Sequence, residues 1–565
     1  MERRQFMAYF SSIGLGGTLF PGVLWAIGQG KVTREAIARA EEIAGLRFTD
    51  EQRERMIRGL ERNLEAYEAL RQVELPNSVA PALRFDPVVP GVEVPPGVKA
   101  APDRPRRRSR PLRRGRERVT RPAALEEVAF WPVTRLAELV RTYQVSAVEL
   151  TELYLDRLER HGPTLECVVT LTADRALEQA RAADREIQAG RYRGPLHGIP
   201  WGVKDMFAVK GYPTTWGAEP YRDQVIDEDA TVVRRLDEAG AILVAKLTLG
   251  ALAMGDVWFG GRTRNPWNLE QGSSGSSAGS AAATVAGLVG FSIGTETLGS
   301  IVSPSTRCGA SGLRPTFGRV SRHGAMALSW SMDKIGPICR SVEDCALVFN
   351  AIHGEDGLDL TARDAPFDWD PQTRLRDLRI GYLASGFERE RRHKEFDDAV
   401  LDVLRGLGAE LIPFELPDDY PVEALRFILS AEAAAAFDDL TRSGRDRLME
   451  ERSSWPNTFR QARFIPAVEY IQANRVRSLL MAALDRAMRG IDVFVTPSYA
   501  DRVLLMTNLT GHPAVVVPNG FTEDGTPVSI SFIGKLWGDA EALAAAKAYQ
   551  DATDFHLRRP PLFAT

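Results

Sequence analysis

Cysteine is scarce in this 565-residue chain: four residues, Cys167, Cys308, Cys339 and Cys345, with no C-x-x-C spacing. That excludes a disulfide scaffold and a cysteine-rich zinc site. Histidine is sparse too, seven residues without an H-E-x-x-H, so no metal is expected. No G-x-G-x-x-G follows a strand-like run, which disfavours a dinucleotide fold; no cofactor is expected. No uninterrupted apolar run approaches the ~20 residues of a permanent membrane span. Charge of one sign is lacking as well: the formal net charge is −4, so the whole molecule is no nucleic-acid binder on charge alone. What is present, 44% hydrophobic and 26% charged residues, is the balance of a soluble globular protein. The expectation is an enzyme that works with ordinary side chains.

Residues 1–30 pair Arg3-Arg4 with a glycine-softened apolar run that ends near Ile27. That layout resembles a twin-arginine leader, which implies a periplasmic or extracytoplasmic location; the alternative is a cytoplasmic protein with a buried N-terminal helix. No stable membrane span is expected once such a leader is processed. Residues 31–75 read as two helices, split at Gly45, with Thr33 and Thr49 or Asp50 as caps. Residues 76–124 are dense in proline. Within 101–122 stand ten arginines against Asp103 and Glu117, a local charge of +8 that leaves −12 on the rest. Prolines block helix and sheet ladders, and no aromatics are interleaved for base stacking, so this is a solvated linker.

From 125 to 565 the texture is that of one domain. A capping box, Ser146 with Glu149, opens a helix expected to stop at Gly162. Another helix fills Thr172 to Ala189. Strand-like runs at Ile242-Val244, Val289-Ile293, Leu378-Tyr382, Val493-Thr496 and Ala514-Val517 alternate with helical stretches. The alternation predicts an α/β fold around a buried sheet.

Three segments carry the chemistry. Gly198-Ile199-Pro200-Trp201-Gly202-Val203-Lys204-Asp205 ends an apolar strand on a lysine, although lysines ordinarily reach for water. Gln271-Gly272-Ser273-Ser274-Gly275-Ser276-Ser277-Ala278-Gly279-Ser280-Ala281-Ala282-Ala283 reads as a tight turn of tiny residues feeding a core helix. In Gly294-Thr295-Glu296-Thr297-Leu298-Gly299-Ser300-Ile301-Val302, small residues before a serine let successive N–H groups turn towards one point.

In this order the three segments resemble the amidase signature family, whose core pattern runs G-G-S-S-G-G-S-A-A-A and then G-T-D-T-G-G-S-I-R. Ser273-Ser274-Gly275 offers a false register. Eleven residues on from Asn265 and 24 back from Ser300 both arrive at Ser276, which fixes the middle serine. The resemblance runs over about residues 128–557. It takes in Lys246-Leu247-Thr248, Gly312-Leu313-Arg314-Pro315, Asp333-Lys334-Ile335-Gly336-Pro337 and Asn508-Leu509-Thr510-Gly511-His512-Pro513.

The resemblance implies a large mixed central β-sheet covered by helices on both faces. It implies hydrolysis of a small-molecule amide, with Ser300 as nucleophile, Ser276, on a cis peptide bond, as relay and Lys204 as base. The N–H groups of Thr297, Leu298, Gly299 and Ser300 become the oxyanion hole. Nucleic acid is not an expected partner, and a homodimer is compatible with the reading.

A lysine acts as base only when neutral, and shifting it from about 10.4 to about 7 takes roughly 4.6 kcal/mol. Burial among groups such as Ile199, Val203 and Phe207 supplies shifts of that size. Glu296, Leu298, Val302 and Ala278 depart from the pattern's aspartate, glycine, arginine and glycine. Trp201, Trp216, Trp258 and Trp330 flank the motifs and either line an apolar acyl pocket or fill the core. Two other readings remain: the glutamine-hydrolysing A subunit of a tRNA-dependent amidotransferase, and a non-catalytic binding protein on the same scaffold.

Overall fold

Runs rich in Val, Ile and Leu with no polar alternation are suited to strands buried on both faces. The computed structural model of the chain describes residues 32–73, 83, 119–449 and 451–564. The leader-like segment 1–30 and all of the Pro/Arg-rich linker but residues 83 and 119–124 lie outside the described residues. The chain divides into two compact units, residues 1–83 with 418–480 and residues 84–417 with 481–565.

The larger unit is built on an eleven-stranded sheet. Its strands are β1 (Val168–Leu171), β2 (Pro200–Lys204), β3 (Ile242–Leu247), β4 (Phe291–Glu296), β5 (Ser311–Arg314), β6 (Lys334–Cys339), β7 (Ile380–Leu383), β8 (Leu411–Phe414), β9 (Val493–Pro497), β10 (Ala514–Phe521) and β11 (Pro527–Gly534). They lie in the order β1-β3-β2-β4-β6-β5-β10-β11-β9-β7-β8. β2 runs parallel to β3 and β4, and β7 runs parallel to β8 and β9. The other pairs are antiparallel, which makes the sheet mixed, within an α/β fold. Every residue of β2, β3, β4, β6 and β9 is buried. The helix Ala278–Val285, itself wholly buried, packs on β2, β3, β4 and β6. Its alanines, glycine and serine let its backbone approach the sheet closely.

Several boundaries differ from the sequence reading: the strand expected from Leu378 begins at Ile380, and the one expected at Ala514-Val517 runs on to Phe521. The helix capped by Ser146 runs on from Ala147 to Leu165, through Pro163, and ends at Glu166 in the left-handed conformation. Gly162 serves packing instead: a Cβ there would sit 3.1 Å from Val168 Cγ2. The strand expected at Val289 begins at Phe291, and just before it the Gly290 N–H donates to the Pro200 carbonyl of β2 at 2.9 Å.

The smaller unit is helical. Arg34–Ala44 is capped by Thr33 and closed by Gly45 at φ 66°; Asp50–Arg71 opens on a capping box of Thr49 with Gln52. Tyr67 packs edge-on against Phe427, and Gln461 donates to the Met56 carbonyl at the point where Gly59 leaves room for it. The four cysteines are buried free thiols. Among the described residues no helix is long and apolar enough to cross a membrane.

Candidate active site

The end of β2, the tiny-residue turn and the end of β4 meet at one place in the sheet's interior. Lys204, the last residue of β2, is wholly buried, and its Nζ lies 2.8 Å from Ser276 Oγ, 2.8 Å from Thr295 Oγ1 and 3.2 Å from Ser277 Oγ. The two further hydroxyls have their own protons committed elsewhere. Ser277 Oγ donates to the Thr295 carbonyl at 3.1 Å, and Thr295 Oγ1 donates to Met206 Sδ at 3.0 Å. Both therefore present lone pairs to the amine.

Tiny residues are needed where the turn threads between neighbours. The Ser274 N–H is held by the Asp256 carboxylate at 3.0 Å. A Cβ on Gly275 would lie 1.8 Å from the Gly255 carbonyl oxygen, and one on Gly279 2.5 Å from both the Thr248 nitrogen and the Cys167 oxygen. The Gly275–Ser276 peptide bond is cis. Ser277 N–H then donates to the carbonyl of Ser300 at 3.2 Å, which brings the two serine-bearing segments together.

Ser300 is buried on the turn between β4 and the short helix Val302–Cys308. Gly299 takes φ 85°, a conformation open to glycine at no steric penalty. The turn is fixed from below by Glu296, a fully buried carboxylate with four donors. Its Oε2 accepts the N–H groups of Ile301 and Val302, both at 2.9 Å. Its Oε1 accepts Arg314 Nη1 and Asn508 Nδ2, both at 2.8 Å. Among the described residues, no protein acceptor takes the N–H groups of Leu298, Gly299 or Ser300.

Burial pulls the Lys204 ammonium from 10.5 down to about 7, against the opposing pull of the Asp333 and Glu296 carboxylates. Burial alone would raise Glu296, but Arg314, together with the Val302 and Asn508 donors, holds it at about 2. Asp333 is raised by burial; its carboxylate accepts the Thr297 hydroxyl at 2.6 Å and the N–H groups of Leu328 and Ser329 at 2.8 and 2.9 Å. The arrangement can therefore offer a neutral amine to a serine hydroxyl beside a turn whose Leu298, Gly299 and Ser300 N–H groups have no protein acceptor among the described residues.

Sequence reading missed Ser277, Thr295, the Glu296–Arg314–Asn508 network and the Asp333–Thr297 contact. Arg314, Asp333 and Asn508 stood inside recognised motifs, but only pairing across the sheet reveals what they hold. The tryptophans sort differently. Trp201 is core, stacked on Phe291 with ring centroids 5.9 Å apart. Trp258 is buried beside Phe259, Trp216 packs on Tyr221, and Trp330 is exposed.

The family described as Amidase matches residues 149–543. The A subunit of glutamyl-tRNA(Gln) amidotransferase from Moorella thermoacetica is 34% identical over 487 residues, covering 77% of this chain and 99% of that protein. Its counterpart from Chloroflexus aurantiacus is 36% identical and covers 78% and 100%. The crystal structure of the peptide amidase from Stenotrophomonas maltophilia is similar with a TM-score of 0.69 at 32% identity, over 78% of this chain and 100% of that one.

Proposed function

The chain belongs to the amidase family, and we propose that it hydrolyses a carboxylic amide through an acyl-serine intermediate. In this reading Ser300 is the nucleophile, Ser276 the proton relay and Lys204 the base. The observation that carries it is the buried Lys204 amine 2.8 Å from Ser276 Oγ, with its pKa near neutrality. A serine hydroxyl attacks only when a neighbouring base takes its proton. Neutral lysine has two N–H bonds and one lone pair. Ser277 and Thr295 are the acceptors for the two N–H bonds, so the lone pair is left facing Ser276.

Ser276 then passes its proton to Lys204 as it accepts one from Ser300, whose oxygen adds to the amide carbonyl. The N–H groups of Thr297, Leu298, Gly299 and Ser300 stabilise the oxygen that becomes negative. The proton returns through Ser276 to the leaving nitrogen, which departs as ammonia or an amine. Water cleaves the ester by the same relay and releases the carboxylate.

Identity of 34% over nearly the whole length of an amidotransferase A subunit favours a second reading, glutamine hydrolysis on behalf of a partner protein. The leader-like start and the added helices Arg34–Ala44 and Asp50–Arg71 favour a self-contained, exported hydrolase. A fluorophosphonate separates these readings from a silent scaffold. Mass spectrometry of residues 31–565 after treatment is expected to find one adduct, on Ser300, and none in Lys204→Ala. Equal labelling in Lys204→Ala would remove Lys204 from the mechanism. Glutamine turnover that appears only with co-purified partners would select the second reading.

A further inference from the structure

Of the four tryptophans beside the motifs, Trp330 alone is half exposed, at 50%. An exposed apolar side chain is common in itself. This one differs in how its backbone is held and in where it stands. Its neighbours Leu328, Ser329 and Met332 are buried. The Ser329 carbonyl closes a tight turn by accepting the N–H groups of Met332 and Asp333, at 3.1 and 2.9 Å. The Trp330 carbonyl accepts Arg322 Nη1 at 2.6 Å.

Both ends of this segment are tied to the proposed catalytic groups. At one end, Met326 N–H donates to the Met206 carbonyl at 2.9 Å and Ala208 N–H donates to Gly324, a few residues beyond Lys204. At the other, Asp333 binds the hydroxyl of Thr297, three residues before Ser300, while gathering the N–H groups of Leu328 and Ser329. Trp330 thus rides on a turn fixed directly to the segment that carries the nucleophile. The charges of the turn are already paired: Arg322 with Asp359 at 2.9 Å, and Asp333 with its three donors. What the turn exposes is the Trp330 side chain, while Arg322 and Asp333 are already engaged.

We propose that Trp330 contacts the substrate and selects amides carrying an uncharged aromatic or branched aliphatic substituent over small or zwitterionic ones such as glutamine. The inference rests on the amide-hydrolase reading and deepens it by giving the substrate a chemical class. Exposed aromatic rings hold such groups by apolar burial and by offset or edge-on ring contact.

The test labels Ser300 of the full chain with two fluorophosphonates that differ only in their substituent, phenylpropyl or methyl, in wild type, Trp330→Phe and Trp330→Ala. A ring contact of ordinary strength gives a roughly tenfold preference for the phenylpropyl probe in wild type. Trp330→Phe keeps most of that preference and Trp330→Ala brings the two rates close to parity. The position is exposed, so all three chains fold. The proposal is overturned, with the amide-hydrolase reading intact, if Ser300 is labelled but wild type shows no preference, or if Trp330→Ala keeps it. If neither probe labels Ser300 in wild type, the amide-hydrolase reading falls and takes this inference with it.

Discussion

Glu296 and Arg314 form an ion pair of 2.8 Å with neither side chain exposed to water, and the other carboxylate oxygen holds the chain just past Ser300. The family pattern has an arginine at position 302, where this chain has a buried valine. In this chain the charge that balances Glu296 comes from Arg314 on β5. By taking the N–H groups of Ile301 and Val302, the carboxylate fixes the direction in which the preceding N–H groups point.

Glu296→Gln should therefore damage stability and reactivity together. It leaves Arg314 buried without a counter-charge, a loss of roughly 3–5 kcal/mol. Thermal unfolding should move down by many degrees, and Ser300 labelling at a temperature well below the transition should slow. Glu296→Asp keeps the charge but shortens the reach, so it should lose less on both measures. A glutamine variant as stable and as reactive as wild type would remove this role.

Lys204 makes a prediction about pH. Its folded pKa is about 7 and the ordinary value is 10.5, so the neutral base accumulates above pH 7. The acylation rate of Ser300 should rise tenfold per pH unit below about 7 and level off by about 8. The stability sign follows from proton counts. Between about 7 and 10.5 the unfolded chain binds the extra proton, so stability rises with pH across that window. Lys204→Met should abolish both the rate profile and that contribution to the slope. A labelling rate flat from pH 5 to 9 would contradict the assignment of the base.

Thr295 should matter for the direction of the lysine's lone pair. Thr295→Val removes one of the two acceptors that hold the N–H bonds while keeping the volume. A single hydrogen bond of about 1 kcal/mol corresponds to a several-fold slower acylation. Thr295→Ser restores the hydroxyl and should recover most of the rate. Steady-state kcat and KM would separate this from substrate binding, because the loss should fall on kcat.

The legibility of this chain is uneven for physical reasons. Lys204, Ser276 and Ser300 stand in segments whose odd composition shows in one dimension: a lysine ending an apolar strand, a run of tiny residues, and glycine before serine. The sheet was legible as alternation, since strands buried on both faces leave continuous apolar runs. Strand order was not, because β5, β6 and β10 pair over long separations that no local pattern encodes. For the same reason Arg314 and Asn508 could be seen as motif residues but not as the partners of Glu296. Trp201 and Trp330 look alike in sequence, and only packing separates a core ring from an exposed one.

Residues 1–30 support an expectation of export, carried by Arg3-Arg4 ahead of the softened apolar run. A reporter fused behind this segment should cross the membrane in a folded state and stay inside when both arginines become lysine. Export that survives Arg3-Arg4→Lys-Lys would count against the twin-arginine route.

The tiny-residue turn yields the sharpest steric prediction. Ala278 shows that the segment tolerates a methyl group at one position where the family pattern has glycine, since its Cβ fits the buried start of the helix Ala278–Val285. Gly275 has no such room. A Cβ there meets the Gly255 carbonyl oxygen at 1.8 Å, backbone against backbone, so no side-chain rotation relieves it. Gly275→Ala must push residue 275 away from Gly255, and the next residue, Ser276, is the group placed 2.8 Å from Lys204. Overpacking of this kind costs at least about 1–3 kcal/mol. Reactivity should fall further than stability, because a displacement of one ångström at Ser276 breaks the relay while the sheet around it persists. The check is Ser300 labelling beside thermal unfolding for Gly275→Ala and Ala278→Gly. The first should lose labelling with a modest fall in the transition, and the second should stay labelled with a small helix penalty of about 0.5–1 kcal/mol. If both variants behaved alike, the room left for Ser276 would not be what the glycines provide.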